Sequence, residues 1–269
     1  MTPTKRLETA MAAAVAAGNV LMKHYDDVLT VSTKESLRDV VTVVDELAEG
    51  CVVETIKRAE PGACIVSEEG VATPAPVSDC YWIVDALDGT VNYVNHIPMF
   101  GVSIAFVEGG RPVIGVVYNP VSNDLYYGGE NLGIYKNQQT LKIQDRPPQE
   151  CSFSVAFSGK NYDPVHRRLE FLLMAEVNDA SRGCLRTGSA SMNLAYLAEG
   201  KFGGCWGKAN KLWDIGAGLL LARLAGAKVV FNEIDPSKHL VSYIAASPSA
   251  WSFLYEKAHR VLGLNATEQ

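Results

Sequence analysis

The sequence lacks a Cys-x-x-Cys pair, a stripe of basic residues and any apolar run that approaches the length of a membrane span. Its six cysteines are scattered along a chain too large to need disulfides, which predicts reduced thiols and a cytoplasmic protein that does not enter a membrane. The formal net charge of -6 argues against nucleic acid as a partner, because phosphate backbones would be repelled. A phosphorylated substrate would meet the same repulsion, so a phosphate site here would need positive charge from bound metal ions.

The chain has 269 residues, of which 48% are hydrophobic, and this is enough to bury a sizeable core. The Ala-rich start, Met1 to Lys23, has a basic pair before its apolar residues, as a signal peptide does. Its apolar residues nevertheless fall at helical spacing, and Glu8 interrupts the would-be apolar segment. We therefore predict an amphipathic helix there.

The pattern of predicted elements changes near residue 145, where Pro147 and Pro148 interrupt the chain. Residues 1–145 predict two helices followed by mainly antiparallel strands, with a hairpin turn at Glu108–Arg111. Residues 146–269 alternate strands with helices, including helices predicted at Gly188–Ala198 and Pro248–Leu262, which favours a sheet covered by helices. The fold class is thus a mixture of α+β and α/β, and the two ranges are predicted to be two halves of the protein.

An apolar run of strand character, Tyr81 to Val84, leads directly into Asp85-Ala86-Leu87-Asp88-Gly89-Thr90. The strong turn signal at Asp88-Gly89 places both aspartates near the carboxyl end of the strand. Two carboxylates and the Leu87 carbonyl could bind a hard cation such as Mg²⁺, and the amides of Gly89 and Thr90 could face an anion. An ordinary surface turn has the same appearance, so this segment alone leaves both interpretations open.

Other acidic residues lie where predicted elements begin or end: Asp45, Glu68, Glu69 and Asp214. Each has a structural alternative. Asp214 could cap the helix that follows it, the Glu68–Glu69 pair could be solvated at a loop start, and Asp45 could belong to the polar face of a helix.

Two longer motifs resemble those of the inositol monophosphatase family of Mg²⁺-dependent, lithium-sensitive phosphatases. They are Trp-Ile-Val-Asp-Ala-Leu-Asp-Gly-Thr-Val-Asn-Tyr at Trp82–Tyr93 and Trp-Asp-Ile-Gly-Ala-Gly at Trp213–Gly218. Ser67-Glu68-Glu69 upstream of the first motif and Gly188-Ser189-Ala190 between the two also fit the family. The resemblance implies a layered αβαβα sandwich of the sugar-phosphatase type, a homodimer, and two or three Mg²⁺ ions per subunit.

The resemblance also implies roles for individual residues. One metal would be bound by Glu68, Asp85 and the Leu87 carbonyl, and a second by Asp85, Asp88 and Asp214. Catalysis is assigned to Glu68, Asp85 and Asp88 together with Thr90, which pairs with Asp45 to orient the attacking water. Substrate contacts are assigned to Asp88, Gly89, Thr90, Gly188, Ser189, Ala190 and Asp214, and Lys34 matches a lysine on a mobile loop near the metals.

Electrostatics favours metal ions independently of the resemblance. Two carboxylates about 4 Å apart repel by about 4 kcal/mol at an effective dielectric near 20, so a cluster of four would protonate or open without cations. Two divalent ions about 3.5–4 Å apart suit the hydrolysis of a phosphate monoester by direct attack of a metal-activated water.

Two residues depart from the family pattern. Ala86 stands where the family usually has proline, a change that keeps every ligand. Gly207 stands where the family has a glutamate that binds the inositol hydroxyls, seven residues before Asp214. Nearby, Lys208 and Lys211 could meet a second phosphate on the substrate or could simply be solvated.

The predicted function is therefore hydrolysis of a small polyol or sugar phosphate, with inositol 1-phosphate as the default substrate. Fructose 1,6-bisphosphate is the alternative substrate, because Ile97 to Ala105 resembles members that act on that sugar. A different class of function is a regulatory binding protein on the same scaffold, with a partner in the transcription machinery.

Overall fold

A computed structural model describes residues 1–26, 31–33, 40–70, 79–157, 163–235 and 238–263. Seven helices in this part of the chain are α1 (Pro3–Lys23), α2 (Val43–Ala59), α3 (Thr90–Val94), α4 (Pro164–Asp179), α5 (Ala190–Ala198), α6 (Leu212–Leu224) and α7 (Pro248–Leu262). The strands before residue 145 are β1 (Val31–Thr33), β2 (Val40–Thr42), β3 (Ile65–Ser67), β4 (Cys80–Asp88), β5 (Gly101–Glu108), β6 (Arg111–Asn119), β7 (Asp124–Gly129), β8 (Gly133–Lys136) and β9 (Gln139–Thr140). The later strands are β10 (Ser152–Ala156), β11 (Gly183–Leu185), β12 (Phe202–Lys211), β13 (Lys228–Asp235) and β14 (Leu240–Ala246).

The strands form two main sheets, one from each predicted half. The first has seven strands in the order β3-β4-β5-β6-β7-β8-β9, antiparallel throughout except that β3 and β4 are parallel. The second is mixed, with five strands in the order β11-β10-β12-β14-β13. The predicted hairpin between β5 and β6 is confirmed, whereas the parallel pairing of β3 with β4 was not predicted. The division at residue 145 stays a prediction.

Helices alternate with these sheets in five layers. Helices α1 and α2 cover one face of the seven-stranded sheet, and their apolar faces share a core with it. Helices α5 and α6 lie between the two sheets, and α4 and α7 cover the outer face of the five-stranded sheet. This arrangement confirms the predicted αβαβα sandwich.

Helix α6 is apolar around nearly its whole circumference because it packs between two sheets. Two of its glycines permit this close packing. A Cβ on Gly216 would lie 2.4 Å from Ile83 Cδ1 of the first sheet, and one on Gly218 would lie 2.6 Å from Leu194 Cβ of α5. The glycines of the Trp213–Gly218 motif therefore let α6 approach its neighbours and fix the position of Asp214 at its start.

The predicted N-terminal helix is confirmed as α1, whose proline-led first turn is capped by Thr2. No helix of the described residues is long and apolar enough to cross a membrane. All six cysteines lie in the described part of the chain, and none of them forms a disulfide there.

Candidate active site

The site begins at the end of β4, where Asp85 and Asp88 both line a cavity of about 160 Å³. Residues three apart on a regular strand point to opposite faces of the sheet. The pairing of β4 with β5 shifts register between Asp85 and Asp88, which is the irregularity that a β-bulge introduces. This shift lets two carboxylates from one strand face the same cavity.

Hydrogen bonds fix the turn between the two aspartates. The Leu87 amide donates to Asp85 Oδ1 over 2.9 Å, and the Thr90 hydroxyl donates to the Leu87 carbonyl over 3.2 Å. Gly89, which precedes α3, has a φ of +100°, and a Cβ there would lie 3.1 Å from the Met99 carbonyl. Glycine is thus required at the turn, and both Gly89 and Thr90 line the cavity.

Three carboxylates from distant parts of the chain meet at this cavity. Oxygen atoms of Glu68, Asp85 and Asp214 all lie within 4.8 Å of one another. Glu68 follows β3, the parallel neighbour of β4, and its amide donates to the Val84 carbonyl over 3.3 Å. Asp214 lies in the first turn of α6, whose N-cap is Lys211, so Asp214 is not the cap that one interpretation of the sequence allowed.

Burial and mutual repulsion disfavour ionisation of this cluster. Burial raises the pKa of Asp85 well above its usual range, and the charges of Glu68, Asp88, Asp214 and Asp45 raise it further. The pKa of Asp214 is raised by burial and then by Glu68 and Asp88. Asp85 is only 2% exposed, whereas Glu68 is exposed and opens the cluster to solvent. Clustered carboxylate oxygens with an opening to solvent suit a divalent cation such as Mg²⁺.

Asp88 is held differently from the other three acids. Its Oδ2 accepts hydrogen bonds from the Ser189 hydroxyl over 2.6 Å and from the Ser191 amide over 2.7 Å. Burial raises the pKa of Asp88, and these two serines partly offset that effect. Asp88 is therefore oriented by the segment that begins α5, while the same residue lines the cavity of the carboxylate cluster.

The predicted segment Gly188-Ser189-Ala190 lines the cavities beside the cluster. The predicted helix began at Gly188, but α5 begins at Ala190, with Ser189 as its N-cap. Gly188 has a φ of +94°, and a Cβ there would lie 2.8 Å from Asn92 Nδ2. The amide of Asn92 in turn donates to the Thr187 and Met99 carbonyls, which ties the segment to the first motif.

Comparison with known proteins identifies the family. A family model described as "Inositol monophosphatase family" matches residues 3–262. The chain belongs to the inositol monophosphatase family. The "Nus factor SuhB" of Pasteurella multocida is 36% identical over 252 residues, which cover 90% of this chain and 91% of the relative.

Solved structures agree with this assignment. An inositol monophosphatase from Anabaena (Nostoc) has a TM-score of 0.80 and 29% identity, with 96% of each chain covered. The Thermotoga maritima IMPase has a TM-score of 0.84 and 27% identity, and the match covers 96% of this chain and 98% of that one. The layered fold described above is thus the fold of this family.

Asp45 and Lys34 complete the set of residues that the family resemblance assigned. Asp45 is buried in the first turn of α2, and its charge contributes to the raised pKa of Asp85. Its pairing with Thr90 stays a prediction. Lys34 lies outside the described residues.

Glu49 is a residue of the site that the sequence analysis missed. It is fully buried on α2, and its carboxylate accepts hydrogen bonds from the Ser67 hydroxyl over 2.5 Å and from the Glu69 amide over 2.8 Å. These bonds flank Glu68 on both sides and hold the turn that presents it. Its spacing of four residues from Asp45 placed both on one helix face, and that signal could have revealed it.

The two lysines near Gly207 bind main-chain carbonyls. The Lys208 ammonium donates to the Leu262 carbonyl over 3.3 Å, and the Lys211 ammonium donates to the Lys238 carbonyl over 3.0 Å. Lys208 is buried, and desolvation lowers its pKa. A different cation, Arg186, lines the cavity of the carboxylate cluster, and the sequence analysis did not single it out.

Proposed function

We propose that this member of the inositol monophosphatase family is a Mg²⁺-dependent phosphate monoester hydrolase. The observation that carries the proposal is the meeting of Glu68, Asp85 and Asp214 within 4.8 Å, with Asp88 beside them. Buried, mutually repelling carboxylates are unfavourable without a counterion, and this set offers only oxygen ligands, which Mg²⁺ prefers.

The residues that would hold the metal ions are Glu68, Asp85, Asp88, Asp214 and the Leu87 carbonyl. Bound divalent cations would neutralise the cluster and stabilise the negative charge that develops on the phosphate oxygens. The number of ions, which we propose to be two or three, and sensitivity to lithium are inherited from the family resemblance.

The chain's own groups would position the reactants. The Thr90 hydroxyl, with Asp45, would orient a water for attack on phosphorus, and the amides of Gly89 and Thr90 would bind the phosphate oxygens. The ester P–O bond breaks as the water oxygen bonds to phosphorus, and the alcohol leaves without a phosphoenzyme. Gly188, Ser189 and Ala190 would contact the leaving group, because they border the cluster on the side of α5.

Inositol 1-phosphate is the substrate we propose first. The case for fructose 1,6-bisphosphate depended partly on Lys208 and Lys211, and both ammoniums already donate to main-chain carbonyls. We further propose that the protein acts as a cytoplasmic homodimer, as the family resemblance implies.

The test is phosphate release from a panel of phosphate esters with and without Mg²⁺. We expect activity that requires the ion and that falls at least 100-fold in Asp88→Asn, a variant that keeps the size of the side chain. Circular dichroism would check that the variant folds. Ranking the esters by kcat/KM identifies the substrate, and release that is indifferent to Mg²⁺ would refute the proposal.

A second candidate function is suggested by the curated relatives, several of which are named "Nus factor SuhB". On this alternative the chain is a regulatory protein that binds part of the transcription machinery. Asp88→Asn separates the two functions. Full binding to purified transcription components by this inactive variant would support the regulatory role, and an absence of binding by the natural protein would exclude it.

A further inference from the structure

A second cavity, of about 140 Å³, adjoins the carboxylate cluster and shares Asp88 and Asp214 with it. Its other polar walls include Ser189 and the side-chain amides of Asn193 and Asn210. We infer that Asn210 determines substrate specificity, because its amide and that of Asn193 bind hydroxyl groups of a polyol leaving group. This inference rests on the proposed function.

A bulge in β12 brings Asn210 to this cavity. The pairing of β12 with β14 shifts register between Gly207 and Asn210, and Ala209 within this step has a φ of +55°. A Cβ on Gly207 would lie only 1.9 Å from Asn210 Oδ1 and 2.7 Å from Tyr243 Cε1. Asn210 therefore occupies the space that a side chain at position 207 would need, and a glutamate there is incompatible with this arrangement.

Both asparagines have amide atoms without hydrogen-bond partners among the described residues: Oδ1 of Asn210 and Nδ2 of Asn193. The two side chains are strongly buried, with 8% of Asn210 and none of Asn193 exposed. The Thr187 hydroxyl donates to Asn193 Oδ1 over 2.6 Å, which fixes the orientation of that amide. Both side chains line the cavity, so their amides are the polar groups that a ligand hydroxyl would meet there.

The two amides and Ser189 suit the hydroxyl groups of a polyol, and the cation Arg186 lines this cavity as well as the carboxylate cavity. Apart from Asp88 and Asp214, which belong to the carboxylate cluster, the cavity has no acidic wall among the described residues. Amide groups both donate and accept hydrogen bonds, so they accommodate a hydroxyl in either orientation. A site built to bind a hydroxyl group discriminates strongly against analogues that lack it, because its own polar groups then stay unpaired.

The experiment compares Asn210→Leu with the natural protein on two esters, myo-inositol 1-phosphate and p-nitrophenyl phosphate. The second ester has an aromatic leaving group without hydroxyls. We expect kcat/KM for the inositol ester to fall about 10- to 100-fold in the variant, with p-nitrophenyl phosphate changing less than about twofold. Equal falls on both esters, or no change on either, would overturn the inference.

Two further variants accompany this comparison, one as a substitute for Asn210→Leu and one as a control. Asn210→Ala removes the amide without adding bulk and should show the same selective loss if Asn210→Leu fails to fold. Ser242→Ala is the matched control, because it removes another unpartnered buried polar atom from the same sheet, outside the cavity. It should leave both rates unchanged.

A binding measurement distinguishes a failure of this inference from a failure of the proposed function. If the natural protein releases no phosphate from either ester with Mg²⁺, the proposed hydrolase function fails. Calorimetric titration with myo-inositol 1-phosphate then decides the inference. Binding that weakens at least tenfold in Asn210→Leu supports it, and equal binding by the two proteins, or binding by neither, overturns it.

Discussion

Replacing Asp85 with asparagine should stabilise the metal-free protein and abolish its stabilisation by Mg²⁺. At an effective dielectric near 20, two charges 4.8 Å apart, the limit measured in the cluster, repel by about 3.5 kcal/mol. Asp85 faces two such carboxylates, those of Glu68 and Asp214. Glu68 is exposed, so solvent screens its charge, and protonation within the cluster relieves part of the remaining repulsion. We therefore expect a gain of about 2 kcal/mol in the free energy of unfolding, or about 4–8 °C in Tm.

The pH dependence follows from the raised pKa of Asp85, which burial and then the neighbouring charges cause. A carboxyl group whose pKa is higher in the folded state binds protons on folding, so the metal-free protein loses stability as pH rises above the ordinary aspartate pKa. The advantage of Asp85→Asn should thus be largest near neutral pH and should shrink towards pH 5. The hydrogen bond from the Leu87 amide can be kept by the asparagine oxygen.

Calorimetric melting with and without Mg²⁺ measures both effects. An ion at 100 times its Kd stabilises a folded protein by about 2.7 kcal/mol, and we expect this gain in the natural protein and almost none in Asp85→Asn. Asp179→Asn, an exposed change of the same charge at the end of α4, is the matched control and should alter neither quantity. A lower Tm for metal-free Asp85→Asn, with an undiminished response to Mg²⁺, would refute the reasoning.

Two further predictions concern carboxylates outside the cluster, the buried Glu49 and the partly exposed Glu199. Glu49→Gln should weaken Mg²⁺ binding about tenfold in a titration calorimeter, because it loosens the turn that presents Glu68; an unchanged Kd would contradict that role. Burial raises the pKa of Glu199, but hydrogen bonds from Tyr126 and from two lysines outweigh this and leave it lowered. Its contribution to stability should be present above the ordinary glutamate pKa and be lost as pH falls. Glu199→Gln should therefore flatten the acid limb of the Tm–pH curve, and an unaltered limb would show that this carboxylate is not the cause.

Local patterns in the sequence predicted much of the fold. Helix α7, Pro248–Leu262, was predicted with its observed bounds, because a proline begins it, its apolar residues follow helical spacing and Gly263 ends it. The β5–β6 hairpin was predicted because its two apolar strands flank a glycine-rich turn. The short strand β11 was missed, because three residues contain too little periodic pattern to detect.

The sequence by itself placed the acids Glu68, Asp85, Asp88 and Asp214 at the ends of predicted elements, and the family resemblance grouped them as predicted metal ligands. Tertiary structure decided which groups meet, since the register shift in β4 and the packing of α6 between two sheets are long-range effects. The folded chain shows how Glu49 supports the cluster, and it alone shows that Asn210 fills the space beside Gly207. The reason is physical, because residue type and spacing act locally, whereas burial, repulsion and close contact arise between segments far apart in the chain.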